Sequence, residues 1–136
     1  MVPRVGHRSN PQGLQDEPVV LVDARNVVRS RWPNIPDHRF VELARTWAAR
    51  EGVRLLLVFD GPAPGGIVGT ADLDERAILA GTGRESADDW IVREAERLAG
   101  AGRRAWLVSS DRGLRARAAS FVERTIGGGA FARELD

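Results

Sequence analysis

The sequence predicts one α/β domain in which helices cover both faces of a mainly parallel sheet. Short β-branched and apolar runs alternate along the chain with segments whose apolar residues recur at helical spacing. This alternation is typical of parallel strands joined by helical crossovers. A length of 136 residues fits one domain, and an apolar share of 43% is enough to build a core.

Five short apolar segments are predicted strands. They comprise residues 19–22, 53–59, 76–80, 105–108 and 121–126. Parallel strands of this kind place all their carboxyl ends at the same edge of the sheet, where ligands of such folds bind.

Helical spacing and capping residues place four helices between and after these strands. The first begins at Asp37, a potential cap, and stops near Gly52; the second begins at Ser86 and ends at Gly100. Shorter helices are expected at 113–119 and 130–135, the latter after a glycine turn at 127–129. Residues 24–36 are expected to form a loop with a proline-rich turn. Polar residues 1–18 are predicted to be a flexible leader to the domain at 19–136.

Composition excludes several kinds of chemistry. The chain has no cysteine, and all 20 of its basic residues are arginine, so thiolate metal sites, cysteine nucleophiles and lysine Schiff bases are impossible. A net charge of +1 gives no overall basic character, and any nucleic-acid surface must be a local patch. We expect a cytoplasmic protein without a membrane partner, because the sequence contains neither a signal peptide nor a long apolar run.

Aspartates follow three of the predicted strands. Asp23 and Asp60 come directly after the first two, and Asp111 follows 105–108 after two serines. Asp88 lies in the first turn of a helix that begins near the same edge. Each acid alone fits a helix cap or a turn equally well. Together they predict a divalent metal site, because converging carboxylates repel one another unless a cation neutralises them. Oxygen ligands favour Mg²⁺ or Mn²⁺.

Polar residues beside these acids are candidate substrate contacts. Asn26 follows Asp23 and could orient a ligand or hold its loop through backbone hydrogen bonds. Ser109 and Ser110 could contact phosphate, bond the aspartates or shape the turn. The two histidines, His7 and His38, are isolated from the acids, so neither is predicted to be a catalytic base.

Arginines flank two of the acids. Arg25, Arg29 and Arg31 follow Asp23, and their charge suits phosphate contacts or simply a solvated basic loop. Arg112 follows Asp111 directly. We therefore predict that Asn26, Arg25, Ser110 and Arg112 bind substrate.

In their order and spacing these segments resemble the NYN domains of the PIN-like nuclease superfamily, and the YacP-like branch in particular. The matching segments are residues 20–28 (VLVDARNVV), 32–33 (WP), 58–61 (VFDG), 85–89 (ESADD), 108–111 (VSSD) and 128–130 (GGA). The resemblance implies a PIN-like, Rossmann-like three-layer α/β/α sandwich.

The family also implies an activity, namely metal-dependent endoribonuclease cleavage of RNA phosphodiester bonds by in-line attack of water. By matching positions, the resemblance makes Asp23, Asp88 and Asp111 the catalytic, metal-binding acids. Asp60 is implied as a further ligand of Mg²⁺ or Mn²⁺, and Asn26 as the asparagine that supports the site. The expected substrate is single-stranded RNA.

Departures and alternatives remain. The motif's Gly-Tyr is Ala24-Arg25 here, so Arg25 would contact phosphate where the family has a stacking tyrosine. Trp32, in the proline-rich turn, could stack a base instead.

A non-catalytic PIN-like module that binds RNA or protein is the main alternative. A phosphatase-like hydrolase fits poorly, because Arg25 occupies the place of the second acid in its Asp-x-Asp pattern. A ribosome, an antitoxin or a second copy of the chain as partner stays open.

Overall fold

The computed structural model describes residues 16–31 and 34–135, in which a six-stranded sheet is flanked by five α-helices. The strands are β1 (Val19–Asp23), β2 (Arg54–Phe59), β3 (Gly69–Asp72), β4 (Ala77–Gly81), β5 (Ala105–Val108) and β6 (Arg124–Ile126). The helices are α1 (Ala24–Arg31), α2 (Asp37–Glu51), α3 (Ala87–Gly100), α4 (Arg112–Ala118) and α5 (Gly128–Leu135). A single 3₁₀ turn, Ala119–Phe121, follows α4.

The sheet has the strand order β3-β4-β2-β1-β5-β6. All neighbouring strands are parallel except β3, which pairs antiparallel with β4. β1 lies between β2 and β5, with Val20 opposite Leu55 on one side and Trp106 on the other. The mainly parallel sheet is therefore confirmed, and the carboxyl ends of five strands lie at one edge.

Helices cover both faces of the sheet, which confirms the three-layer sandwich. The larger core packs α1, α2 and α5 against one face and includes Phe40, Trp47 and Phe131. The Trp47 and Phe131 rings meet edge to face at 4.9 Å. The second core packs α3 and α4 against the other face through residues such as Ile91 and Leu114. Burial of these side chains holds each helix, and thereby its first residues, in place.

Two predictions about segments at the carboxyl edge of the sheet were wrong. The segment expected to be a loop after Asp23 is helix α1, in which Ala24, Val27 and Val28 are buried. The exposed face of α1 carries arginines, so the few apolar residues of this segment were not recognised as a helical pattern in the sequence. The glycine turn expected at 127–129 is shorter, because Gly128 and Gly129 already belong to α5. Helix propensity disfavours glycine, but close packing of α5 on α1 overrides that preference.

Three further details differ from the sequence predictions. β3 was not predicted, because Gly69–Asp72 lacks the apolar alternation of a half-buried strand. The last strand begins only at Arg124, after the 3₁₀ turn. Asp37 lies in the first turn of α2, and Pro36 occupies the cap position.

Most of the predicted leader, residues 1–15, and the Trp32-Pro33 turn lie outside the described residues. Where the description begins, the Pro18 carbonyl accepts a hydrogen bond from Arg54 at 2.9 Å, and Glu17 pairs with Arg76 at 2.6 Å. Among the residues described, every helix is too short or too polar to cross a membrane.

Candidate functional site

The four predicted metal-binding acids surround one open cleft of about 390 Å³ at the carboxyl edge of the sheet. The lining residues are Asp23, Arg25, Asn26, Arg29, Asp60, Ser86, Ala87, Asp88 and Asp111. They come from the end of β1, from α1, from the segments after β2 and β5, and from the start of α3. The parallel topology thus brings together acids that are up to 88 positions apart in the sequence.

Asp23 is the buried member of the group, with 8% of its surface exposed. It ends the central strand β1, and its Oδ2 accepts a hydrogen bond of 2.9 Å from the Ser109 hydroxyl. Ser109 is fully buried, and its Oγ also accepts a hydrogen bond of 3.1 Å from the Asp111 backbone N–H. One hydroxyl thereby fixes the positions of two acids that come from different strands.

Asp60 and Asp111 each serve a helix as well as the cleft. Asp111 caps α4, and its Oδ1 accepts a hydrogen bond from the Leu114 backbone N–H at 2.9 Å. Asp60 Oδ1 accepts from the backbone N–H of Ala87, the first residue of α3, at 3.0 Å. Each bond orients its carboxylate through one oxygen, and the second oxygen accepts no hydrogen bond from the described residues.

Asp88 lies in the first turn of α3, next to the cap. The Ser86 hydroxyl accepts a hydrogen bond of 3.0 Å from the Asp89 backbone N–H, which is the cap predicted from the sequence. The cap and the bond from Ala87 to Asp60 together fix the start of the helix. Asp88 is half-buried and faces the same cleft as Asp23.

Burial raises the pKa of Asp23 above its ordinary value. The hydrogen bond from Ser109 opposes that rise, the charges of Asp88 and Asp111 add to it, and the charge of Arg29 opposes it. The interactions with Asp88 and Asp111 show that these carboxylates lie close enough to repel one another.

The pKa of Asp88 is also raised, first by burial and then by the negative charge of Asp111. Asp89 and Asp60 raise it further, whereas Arg117 lowers it. Arg117 forms an ion pair of 2.9 Å with Asp89, so part of its charge is already balanced. A cation in the cleft would relieve the mutual repulsion of these acids.

The acids are not arranged as a closed metal cage. Within residues 16–31 and 34–135, no three His, Cys, Asp or Glu side chains form a set that could hold a metal ion. Mg²⁺, however, usually keeps several waters and binds proteins through one or two carboxylates together with substrate phosphates. An open cleft with oxygen donors fits that mode of binding and would not hold a fully dehydrated ion.

Two of the predicted substrate-binding residues, Asn26 and Ser110, connect α1, the segment after β5 and the start of α5 by hydrogen bonds. The Asn26 amide oxygen accepts a hydrogen bond of 2.9 Å from the Ser110 backbone N–H. The Ser110 hydroxyl in turn accepts one of 2.8 Å from the backbone N–H of Gly128, at the start of α5. Asn26 lines the cleft and keeps its amide N–H₂ group as a donor. Their contact with a substrate stays a prediction.

The arginines around the acids have different surroundings. Arg25 lines the cleft, lies 5.0 Å above the ring of Phe59 and forms an ion pair of 3.1 Å with Asp37. Arg29 lines the cleft and is exposed. Arg112 is the exposed first residue of α4 and lies outside the lining. Their roles in binding also stay predictions.

Sequence reasoning passed over several residues that shape this site. Ser109 had only an ambiguous role, yet it connects Asp23 and Asp111. Thr82 was not considered; it is buried, and its hydroxyl accepts a hydrogen bond of 3.1 Å from Gly61, which follows Asp60. Its position directly after β4, at the same edge, was the available signal.

Comparison with known proteins gives the fold. Two structures of Rae1 (YacP) from Bacillus subtilis, one of them a mutant form, match with TM-scores of 0.65 and 0.63. The matches cover 86% of this chain and 73% and 72% of the other chains, at 19% identity. The chain has a YacP-like fold.

At 19% sequence identity the similarity to YacP concerns the fold alone. It confirms the fold that the resemblance in the sequence implied. No protein family model matches the chain, and neither does any curated protein sequence. The roles of individual residues therefore rest on the geometry of the cleft.

Proposed function

We propose that the chain is a metal-dependent endoribonuclease that hydrolyses phosphodiester bonds of single-stranded RNA. The observation that carries this proposal is the convergence of Asp23, Asp60, Asp88 and Asp111 on one open cleft, where burial and mutual repulsion raise the pKa of Asp23 and Asp88. Clustered carboxylates with perturbed pKa values are typical of functional sites. The YacP-like fold, whose resemblance implies a nuclease, agrees with this assignment.

One or two of the acids Asp23, Asp88 and Asp111 would bind Mg²⁺ or Mn²⁺ directly, and the others, with Asp60 beside them, would hold the waters that the ion keeps. When bound, the ion lowers the pKa of water and stabilises negative charge on the phosphoryl group. Asp23 is kept in place by Ser109, and Asp111 by its cap on α4, so these carboxylates need little reorganisation when a ligand arrives.

The cationic side of the cleft would hold the RNA strand. Arg25 and Arg29 lie beside the acids and supply donors for phosphate oxygens, and the N–H₂ group of Asn26 is a neutral donor between them. Arg112 extends this basic rim from α4. A positively charged groove that follows the backbone is typical of proteins that bind single strands. The expected location of such an enzyme is the cytoplasm.

The test is cleavage of a labelled single-stranded RNA with Mg²⁺ or Mn²⁺ and with a chelator. Asp23→Asn and Asp88→Asn should each lose about a hundredfold or more of the activity. Asp72→Asn is the matched control, because Asp72 is an exposed aspartate of β3, outside the cleft. Circular dichroism would establish that all three variants fold. Cleavage that survives in both folded cleft variants would disprove the site.

A second candidate is a non-catalytic PIN-like module that binds RNA or protein. It is favoured by the lack of a three-residue metal set among the described residues. In that case the wild-type protein would bind neither Mg²⁺ nor Mn²⁺ by calorimetry, would cleave no RNA, and would bind its partner equally well with chelator. Metal binding without cleavage would leave the metal site intact and point to a different substrate.

A further inference from the structure

A second pocket lies at the opposite edge of the sheet from the aspartates. It is formed where β1, β2 and β4 begin and where α3 ends, and it has a volume of about 140 Å³. Its lining residues are Val19, Arg54, Leu55, Leu56, Arg76, Ile78, Glu94, Arg97, Leu98 and Arg103. We call it the arginine pocket, because four of its ten lining residues are arginines.

The positive charge of the arginine pocket is only partly balanced. Arg76 pairs with Glu17 at 2.6 Å, and Arg97 Nε donates to Glu94 at 3.0 Å. Arg54 and Arg103 have no ion pair with any carboxylate in the described part of the chain. Two guanidinium groups therefore remain to attract an anion, in a chain whose net charge is only +1.

One donor in this pocket has no acceptor. The Nε of Arg103 is buried and makes no hydrogen bond within the described residues. Buried donors are rarely left without a partner, because the lost hydration costs free energy. Because Nε itself is closed to solvent, an anion in the pocket would bind the terminal nitrogens of Arg103, which is partly exposed as a residue, together with the partly exposed Arg54.

We propose that the arginine pocket binds a phosphate group through Arg54 and Arg103, with Arg76 and Arg97 contributing charge. Arginine offers planar pairs of donors that match the oxygens of a phosphate. The volume is well below the several hundred Å³ typical of sites for drug-sized ligands, so it suits a phosphate rather than a whole cofactor. The phosphate is either a free ion or the 5′-phosphate of an RNA end.

This proposal is independent of the nuclease assignment, because the two sites lie at opposite edges of the sheet. Binding of inorganic phosphate would be measured by calorimetry at low ionic strength without divalent metal, where the acids of the cleft repel the anion. The double variant Arg54→Gln/Arg103→Gln should weaken binding by about tenfold or more, since two charge-assisted hydrogen bonds are lost. The control Arg39→Gln/Arg133→Gln removes the same charge from exposed positions on α2 and α5. It should change the affinity for phosphate by less than about twofold.

Short RNAs with and without a 5′-phosphate would distinguish the two sources. A preference for the phosphorylated RNA that disappears in the double variant and is competed by inorganic phosphate supports an RNA end. Binding of inorganic phosphate without that preference supports a free ion. If inorganic phosphate does not bind, or binds both double variants equally, the proposal is wrong.

A measurement on the wild-type protein covers the case in which the double variant does not fold. In a phosphate titration followed by NMR, the backbone amides of Val19, Ile78 and Leu98 should shift first. Shifts that spread evenly over the exposed arginines, or that centre on the aspartate cleft, would overturn the assignment.

Discussion

Single carboxylates in this protein bind the start of a helix and line the cleft at the same time. Asp111 caps α4 with one oxygen, Asp60 binds the first N–H of α3 with one oxygen, and both line the cleft. Sequence reasoning could not decide between a cap and a ligand, because an aspartate after a strand satisfies both patterns. The structure shows that the two roles are compatible, since a carboxylate has more acceptor sites than a cap requires.

The burial of Asp23 leads to a prediction about stability. Because its pKa is raised, its ionised form is less favourable in the folded state than in the unfolded state. The free energy of unfolding therefore falls as the pH rises from the pKa of the unfolded chain to that of the folded one. Asp23→Asn removes the charge and keeps an oxygen for Ser109, so we expect this variant to be more stable than wild type at pH 7.

Urea unfolding at pH 7 and again at pH 3 measures this effect. The advantage of Asp23→Asn should shrink at pH 3, where the carboxyl of the wild type is protonated in both states. Asp72→Asn, which changes an exposed acid, should show little difference from wild type at either pH. A variant less stable than wild type at pH 7 would contradict the argument from burial.

At the level of elements, the cleft depends on how closely α5 packs against α1. A Cβ on Gly128 would lie 2.6 Å from Asn26 Oδ1 and 3.0 Å from Ser30 Oγ. The same glycine donates its backbone N–H to Ser110, which donates its own to Asn26. Glycine at this position thus lets three segments meet behind the site.

Gly128→Ala should consequently lower the free energy of unfolding by about 1–3 kcal/mol, because the new methyl group forces these segments apart. Gly100→Ala is the matched control, since a Cβ at the end of α3 would meet no atom within 4 Å. That control should be neutral or slightly stabilising. Thermal unfolding of both variants measures the difference, and equal melting temperatures would refute the close-packing argument.

The start of α3 yields a prediction that links stability to activity. Ser86 caps this helix through the Asp89 N–H, and Asp88 lies in the same turn. Ser86→Ala should cost about 1 kcal/mol of unfolding free energy, the usual value of a lost cap. It should also reduce metal-dependent cleavage, because Asp88 loses its fixed position. Ser120→Ala, on the exposed 3₁₀ turn, should change neither quantity; a similar loss there would indicate a nonspecific effect.

At the scale of the whole molecule, the sequence predicted a mainly parallel sheet and the meeting of the acids at one edge, because both follow from the alternation of strands and helices. Buried runs such as 53–59 are strong signals, and an aspartate after each strand must lie at the common edge. The missed elements, α1 and β3, are stabilised by tertiary contacts instead. α1 is largely polar and packs against α5, while β3 is held mainly by pairing with β4.

A metal ion bound in the cleft would make the free energy of unfolding depend on the metal concentration. A ligand that binds only the folded state raises the free energy of unfolding by mass action. Saturating Mg²⁺ or Mn²⁺ should therefore raise the melting temperature of the wild-type protein by a few degrees, roughly the effect of 1 kcal/mol in a domain of this size. The double variant Asp23→Asn/Asp88→Asn should show no such rise.

The pH dependence of this thermal shift separates specific binding from a general salt effect. Because the pKa values of Asp23 and Asp88 are raised, protons compete with the metal at a higher pH than they would at ordinary aspartates. The rise should shrink as the pH falls from 7 towards the ordinary pKa of an aspartate, and it should do so before that pKa is reached. Stabilisation by ionic strength alone would persist and would also follow from added NaCl. An equal rise in melting temperature in the wild type and in the double variant would mean that the ion binds elsewhere. The assignment of a metal site to the aspartate cleft would then be wrong.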